Sequence, residues 1–202
     1  MAKPAVLRTV AVEGRRVGRR TDAEYGRERK YLTPTEVELL IATAKKRGRY
    51  GQRDALAILM CYRHGLRVSE LVALRCAQIA WEGTPRLTVQ RRKGSISGIA
   101  QTLDRDEVRW LRQIQREQPA GTTYIFQGER GAVAVDWFRR MLRRVGAECG
   151  LPLVQLRHGC GFTLADKGRD LREIQLQLGH KSISNTVGYV DLRPGRLDRI
   201  WD

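Results

Sequence analysis

Apolar side chains recur every three or four residues along most of this chain, which is the spacing of one face of an α-helix. The first such stretch follows Thr33-Pro34-Thr35-Glu36, a capping box in which proline takes the first helical position. Its apolar positions are Val37, Leu40, Ile41 and Ala44. The pattern predicts that folded structure begins with a helix at this box.

The same periodicity predicts helices in the middle of the chain. A segment from about Arg53 to Arg63 is apolar on most faces and is expected to be buried, and a shorter helix should run from about Val68 to Leu74. The run Asp104-Arg105-Asp106-Glu107 is typical of another helix start, and apolar positions from Val135 to Val145 mark a further helix. Most of the predicted core is therefore helical.

Three more helices are predicted near the C-terminus. The first runs from about Leu156 to Lys167, and the second begins at Asp170 and ends at Gly179. A third, around Ile183 to Val187, would place Tyr189 just beyond its end.

Two short extended segments, Leu87 to Gln90 and Ile99 to Leu103, have the composition of β-strands. The eight residues between them include Gly94 and Gly98, which suit a hairpin turn. The predicted fold class is therefore mainly α with a small antiparallel β-hairpin or sheet.

The charge balance narrows the choice of partner. Lys and Arg total 38 against 22 Asp and Glu, a net charge of +16 over 202 residues, which favours a polyanion or an anionic membrane surface. The longest nearly continuous apolar stretch, Ala55 to Tyr62, is far shorter than the roughly 20 residues of a membrane span. We therefore expect nucleic acid as the partner, without membrane insertion.

The cysteines and histidines do not indicate a metal site. The four cysteines lack Cys-x-x-Cys spacing and lie mostly among apolar residues, and only three histidines are present. No export signal is recognisable either. We expect reduced thiols, no metal and a cytoplasmic protein.

Residues 1–30 carry nine basic and four acidic side chains and few large apolar ones, which predicts a flexible basic arm. Two interpretations stand: a solvated tail, or an arm whose arginines follow the DNA backbone and add salt-dependent affinity. The arginines in question are Arg15, Arg16, Arg19 and Arg20.

The candidate chemistry lies in residue types suited to attacking a phosphodiester. Arg157 and Arg67 can grip phosphate oxygens, His180 can donate a hydrogen bond, and Tyr189 can act as a nucleophile. If Arg67 and Glu70 share a helical turn, the carboxylate would orient the guanidinium; otherwise they form an ordinary surface ion pair.

Together, Gly-Leu-Arg-Val-Ser-Glu-Leu at 65–71, Leu-Arg-His-Gly at 156–159, Leu-Gly-His at 178–180 and Tyr189 resemble the catalytic domain of the tyrosine site-specific recombinases, the phage integrase family. The resemblance covers about residues 31–202 and is greatest to the small recombinases that invert fimbrial promoter segments. It implies a domain of the DNA breaking-rejoining type that forms a 3′-phosphotyrosyl intermediate without cofactor or metal, for inversion, integration or excision.

The resemblance also assigns a catalytic lysine. In the family, a lysine on a hairpin protonates the leaving 5′ oxygen, and Lys93 is the position that matches here. In the alternative interpretation, Arg91, Arg92 and Lys93 only contact backbone phosphates.

One position departs from the family, which has His-x-x-Arg where this chain has Val154 before Arg157. Valine cannot shuttle a proton, so activity would be reduced by up to roughly 10² to 10⁴. His158 follows Arg157 directly, should face elsewhere on the helix, and is interpreted as a packing or supporting residue. The alternative function is a weakened, sequence-specific DNA-binding regulator of the same fold; RNA binding is a third class.

The expected partners follow from the family resemblance. They are double-stranded DNA at repeat sites, a homotetramer on that DNA, and accessory DNA-bending proteins at the nucleoid. Residues 190–202 would form a subunit-docking tail or would fold back on their own domain.

Overall fold

A computed structural model of the chain describes residues 31–91, 94–129, 131–151 and 156–191. In chain order the helices and strands are α1 (Pro34–Lys45), α2 (Gly51–Arg63), α3 (Val68–Val72), β1 (Ile79–Ala80), β2 (Arg86–Val89), β3 (Ile99–Thr102), α4 (Arg105–Glu117), β4 (Gln127–Gly128), β5 (Gly131–Ala132), α5 (Val135–Cys149), α6 (Leu156–Asp166), α7 (Leu171–Leu178) and α8 (Ser184–Asp191). The mainly helical prediction is confirmed.

The capping box predicted at the start of α1 is present. The Glu36 backbone N–H donates to Thr33 Oγ1 at 3.3 Å, and the Thr33 backbone N–H donates to Glu36 Oε2 at 2.8 Å. These two bonds satisfy backbone donors that a helix start leaves unpaired.

Helix α2 is the centre of the main core. Its residues from Ala55 to Cys61 are all buried, as the apolar sequence predicts, and α1, α4, α5 and α6 pack around it. Arg67, which follows the end of α2 by four residues, is therefore attached to a densely packed part of the fold.

The predicted hairpin forms the larger part of a three-stranded antiparallel sheet in the order β1-β2-β3. Leu87 pairs with Gln101 and Val89 pairs with Ile99, and the Gly98 backbone N–H donates to the Val89 carbonyl at 3.1 Å just beyond the last pair. The short strand β1 and the β4-β5 hairpin were not predicted, because two-residue strands carry no periodicity.

The last three helices enclose a smaller apolar cluster. Asp170 caps α7 by accepting from the Arg172 backbone N–H at 2.7 Å, and Gly179 ends α7 in the left-handed conformation at φ 69°. Helix α8 extends further than predicted, so that Tyr189 lies inside it and not beyond its end. The phenol ring is thereby held by a helix instead of a loop.

All four cysteines are free thiols, and three of them are buried: Cys61, Cys149 and Cys160. Among the described residues, no helix is long and apolar enough to cross a membrane. The basic arm 1–30, Arg92, Lys93, Val154 and the tail beyond 191 lie outside the described residues.

Candidate active site

Glu70 lies at the centre of a cluster of basic side chains near the start of α3. Its carboxylate accepts from the Arg67 backbone N–H at 2.9 Å and from Arg67 Nη1 at 2.7 Å. The carboxylate is almost completely buried, whereas the Arg67 side chain is 36% exposed. Arg67 is therefore oriented from the protein side while part of it faces solvent.

The charge on Glu70 is stabilised by these contacts. Burial raises the pKa of the carboxyl, but hydrogen bonds from the Arg67 backbone and from Arg91 outweigh burial and hold the pKa below its ordinary value of 4.5. Glu70 is ionised at neutral pH.

Arg91 is a structural residue, and the structure does not support the predicted DNA contact. Its side chain is only 2% exposed; Nη1 donates to Glu70 Oε2 at 2.8 Å, and Nη2 donates to the carbonyls of His64 at 2.9 Å and Gln177 at 2.5 Å. A buried guanidinium with these partners cannot also reach a phosphate. Arg91 instead ties the end of α2 to α3 and α7.

Arg157 extends from the first turn of α6 toward the same cluster. Its guanidinium donates to the carbonyls of Gly65 and Leu178 and lies 4.0 Å from Glu70 Oε2. Burial, together with the positive charges of Arg67 and Arg91, lowers its pKa to about 10, so Arg157 remains protonated at neutral pH. The two carbonyls fix the direction of the guanidinium before any ligand binds.

The cluster has an excess of positive charge. Three guanidinium groups share one carboxylate, which leaves a surplus of two positive charges in a partly buried site. Such a surplus favours a phosphate diester, because charge-assisted hydrogen bonds strengthen where water is scarce.

His180 is held beside the cluster by the end of α7. Its Nδ1 is 2.9 Å from Thr186 Oγ1, and Thr186 is completely buried. Burial and the charges of Arg157 and Arg67 lower the pKa of His180 to about 4. The imidazole is neutral at pH 7.

Tyr189 is enclosed by aromatic rings on the inner side of α8. It is 6% exposed, meets Phe162 edge-on at 5.1 Å between ring centroids, and lies nearly parallel to His180 at 6.2 Å. Its Oη is 3.0 Å from His158 Nδ1. Burial raises the pKa of the phenol, and the charge of Arg157 opposes that rise.

Gly161 leaves the space that the phenol ring occupies. A Cβ at this position would lie 2.8 Å from two ring carbons of Tyr189, closer than side-chain carbons approach one another. Sequence reasoning missed this residue, because no local pattern shows that α8, which begins 23 residues downstream at Ser184, packs against it.

The structure brings together six of the predicted residues: Arg67, Glu70, Arg157, His158, His180 and Tyr189. Predicted residues that fall outside its described ranges are Lys93, Arg92, Arg15, Arg16, Arg19 and Arg20. Thr186 was also missed, since nothing in the sequence distinguishes it from other polar helix residues.

A groove of about 420 Å³ extends the site along α5. Arg67 and Arg157 form part of its lining, together with Arg139 and Arg143, which are four residues apart on α5. The sequence carried a signal for these two arginines, because residues four apart on a helix lie on the same face.

Comparisons with known proteins agree with this geometry. The model of the phage integrase family matches residues 30–196. Type 1 fimbriae regulatory protein FimE of Escherichia coli K12 is 35% identical over 185 residues, which cover 87% of this chain and 92% of FimE. FimB of the same strain is 33% identical, with 87% and 91% covered. The predicted similarity to small fimbrial recombinases is confirmed.

Solved recombinases share the fold. The XerA recombinase superposes with a TM-score of 0.69 at 24% identity, covering 83% of this chain and 61% of XerA. XerH bound to its difH substrate before cleavage superposes with a TM-score of 0.72 at 21% identity, covering 86% of this chain and 55% of XerH. Both solved chains are thus considerably longer than the part matched here. The fold, the family match and the fimbrial relatives place this chain in the phage integrase family of tyrosine recombinases, which carry out site-specific DNA recombination.

Proposed function

We propose that this chain breaks and rejoins DNA strands with Tyr189 as the nucleophile. Tyr189 Oη attacks the scissile phosphorus, the 5′ oxygen leaves, and a 3′-phosphotyrosyl bond conserves the energy needed for religation. The observation that carries the proposal is the convergence of Arg67, Arg157 and His180 with the phenol in one partly buried site.

The arginines supply most of the electrostatic stabilisation in this proposal. Negative charge spreads over the non-bridging phosphate oxygens as the phenol attacks, and Arg67 and Arg157 carry oriented charge toward that position. His180 is neutral, with its Nδ1 bonded to Thr186, and it serves as a hydrogen-bonding group to the phosphate.

Lys93 remains the proposed general acid for the leaving 5′ oxygen. Support comes from the described residues that follow it in the chain. Ser95 Oγ accepts from Arg67 Nη1 at 3.1 Å, and the Ile96 backbone N–H donates to the Gly179 carbonyl at 3.2 Å. The residues just after Lys93 are thus attached to the site itself. Arg92 is proposed to contact the adjacent backbone phosphate.

The wider proposal concerns assembly and substrate. A homotetramer acts on paired double-stranded repeat sites in the nucleoid, with residues 190–202 docking onto a neighbouring subunit and accessory proteins bending the DNA. Arg15, Arg16, Arg19 and Arg20 follow the DNA backbone.

Similarity to FimE and FimB over most of the chain supports a fimbria-type DNA inversion. Val154 lowers the rate below that of relatives with a histidine there.

A trapping experiment tests the proposed chemistry. Duplexes from the repeats that flank the coding sequence are nicked at successive positions, so that cleavage near a nick releases a short fragment and prevents religation. Wild type is expected to form a denaturant-resistant adduct that Tyr189→Phe does not form. Specific binding without an adduct at any nick would contradict the proposal.

A further inference from the structure

The three histidines of this chain have different partners, and one of them bonds the nucleophile. His64 is buried between Gln101 Oε1 at 2.7 Å and Glu107 Oε1 at 3.0 Å. His180 bonds Thr186 through Nδ1. His158 is the histidine whose ring nitrogen, Nδ1, lies 3.0 Å from the Tyr189 hydroxyl.

The position of His158 on α6 explains why sequence reasoning set it aside. Neighbouring residues of a helix point about 100° apart, so His158 does face away from Arg157, as predicted. Arg157 points toward Gly65 and Leu178, whereas His158 points toward α8. Sequence alone does not show which segment packs against the His158 face of α6. In the structure that segment is α8, which places the Tyr189 hydroxyl 3.0 Å from His158 Nδ1.

We infer that His158 is the base that receives the phenolic proton of Tyr189 during cleavage. The inference rests on the proposed function and adds the proton acceptor that it lacks. The residue three positions before Arg157 is Val154, which cannot accept a proton. His158 occupies a different position on the same helix and reaches the reacting oxygen directly.

The proton and electron changes balance without a co-reactant. An oxygen lone pair of Tyr189 forms the new O–P bond while its O–H proton passes to His158 Nδ1, which requires the tautomer with hydrogen on Nε2. The bond between phosphorus and the 5′ oxygen breaks, and that oxygen takes a proton from the proposed general acid Lys93. Religation reverses each transfer and returns the proton from His158 to Tyr189.

The surroundings favour this direction of transfer. The charged and titratable groups facing His158 are Arg157 from its own helix, His180 from the end of α7 and Tyr189 from α8. Helix α2 presents Tyr62, whose hydroxyl bonds Thr163 Oγ1 at 2.6 Å. Burial and then Arg157 lower the pKa of His158 below its ordinary value of 6.5, so the ring is neutral at pH 7 and can accept a proton.

The contact between His158 and Tyr189 is also fixed in place. The ring centroids of His158 and Tyr189 are 5.7 Å apart at an interplanar angle of 54°, an arrangement that directs Nδ1 at the hydroxyl and does not stack the rings. Gly161 and Phe162 hold the other side of the phenol. A base already within hydrogen-bonding distance needs no rearrangement before the transfer.

The test compares His158→Asn with wild type. The asparagine side-chain oxygen can take the place of Nδ1 and keep a hydrogen bond to the phenol, but it cannot accept the proton. We expect the single-turnover cleavage rate to fall about 10² to 10⁴-fold, the range of general-base catalysis. The wild-type rate should decline as the pH falls through the pKa of His158, and His158→Asn should lack that acidic decline. Imidazole added to His158→Ala should restore part of the rate.

A modified substrate separates this role from leaving-group catalysis. The scissile position, mapped from the adduct, is replaced by a 5′-bridging phosphorothiolate, whose thiolate leaves without protonation. Lys93→Ala should recover its rate on this DNA, whereas His158→Asn should remain slow. DNA affinity and the urea unfolding midpoint of His158→Asn should match wild type.

The outcomes are distinguishable. Absence of a Tyr189-dependent adduct in wild type overturns the proposed function, and this inference with it. An adduct in wild type together with unchanged rate and pH profile in His158→Asn overturns the inference alone. Recovery of His158→Asn on the phosphorothiolate would also overturn it, because His158 would then act on the leaving group.

Discussion

Replacing Gly161 with alanine tests how tightly the fold holds the nucleophile. The new Cβ would lie 2.8 Å from Cε1 and Cζ of Tyr189, whereas ordinary contact begins at 3.4 Å. The ring must therefore retreat by about 0.6 Å, the difference 3.4 − 2.8. Phe162 and His180 lie beside the same ring, so the displacement also alters those contacts and the bond to His158.

The expected effect is greater on catalysis than on stability. A misplacement on the order of 1 Å costs about 10²-fold in rate, so we expect Gly161→Ala to cleave about 10 to 10²-fold more slowly. Alanine contributes about 1 kcal/mol of helix propensity, and overpacking costs about 1–3 kcal/mol. The net loss of unfolding free energy is thus about 0–2 kcal/mol, which leaves the protein folded.

Gly188→Ala is the matched control, because it changes the same residue type directly before Tyr189. No atom of the described residues lies within 4 Å of a Cβ at Gly188, so the phenol should not move. Both variants are assayed by single-turnover cleavage of the nicked duplex and by urea unfolding. Equal cleavage rates for Gly161→Ala and Gly188→Ala would refute the reasoning.

Three further predictions concern the support of the site. Arg91→Met should lower the free energy of unfolding by about 3–5 kcal/mol, because one partner of a buried ion pair is lost. The control is the exposed pair Arg109–Asp106: Arg109→Met should change the free energy of unfolding by less than about 1 kcal/mol. A urea midpoint for Arg91→Met equal to that of Arg109→Met would contradict the structural role. Thr186→Val keeps the buried volume but removes the hydroxyl beside His180 Nδ1. Cleavage should slow about tenfold, which corresponds to the free energy of one hydrogen bond. An unchanged rate would show that this bond does not orient the imidazole. Because the folded-state pKa of Glu70 is lowered, its contribution to stability is present above the unfolded pKa of about 4.5 and is lost as the pH falls through the folded value. Urea unfolding of wild type should therefore weaken below about pH 4.5 more steeply than that of Glu70→Gln, and parallel pH curves would exclude this carboxyl as the cause.

Sequence reasoning succeeded where the determining interactions are local. Thr33 and Glu36 are three residues apart and form the predicted cap, and Arg67 and Glu70 have the same spacing at the start of α3. Gly179 ends α7 as predicted, because a left-handed terminal residue is a local backbone requirement.

Sequence reasoning was insufficient where distant segments decide the outcome. Arg91 was grouped with its basic neighbours, but its partners are Glu70, His64 and Gln177, which no local pattern connects to it. His158 was interpreted as a packing or supporting residue from its position beside Arg157, and its contact with Tyr189 depends on the distant helix α8. Direction on a helix can be inferred from sequence, but what packs against that direction depends on tertiary structure.

Identification of the residue that carries the DNA tests the central claim most directly. The chain has six tyrosines, and the tryptic peptide 182–196 contains only Tyr189. The trapped wild-type adduct is digested with nuclease and trypsin, and the peptides are sequenced by mass spectrometry. The account predicts a nucleotide phosphate on Tyr189 in this peptide. A nucleotide attached to any other residue, from an adduct formed at the specific site, would contradict it.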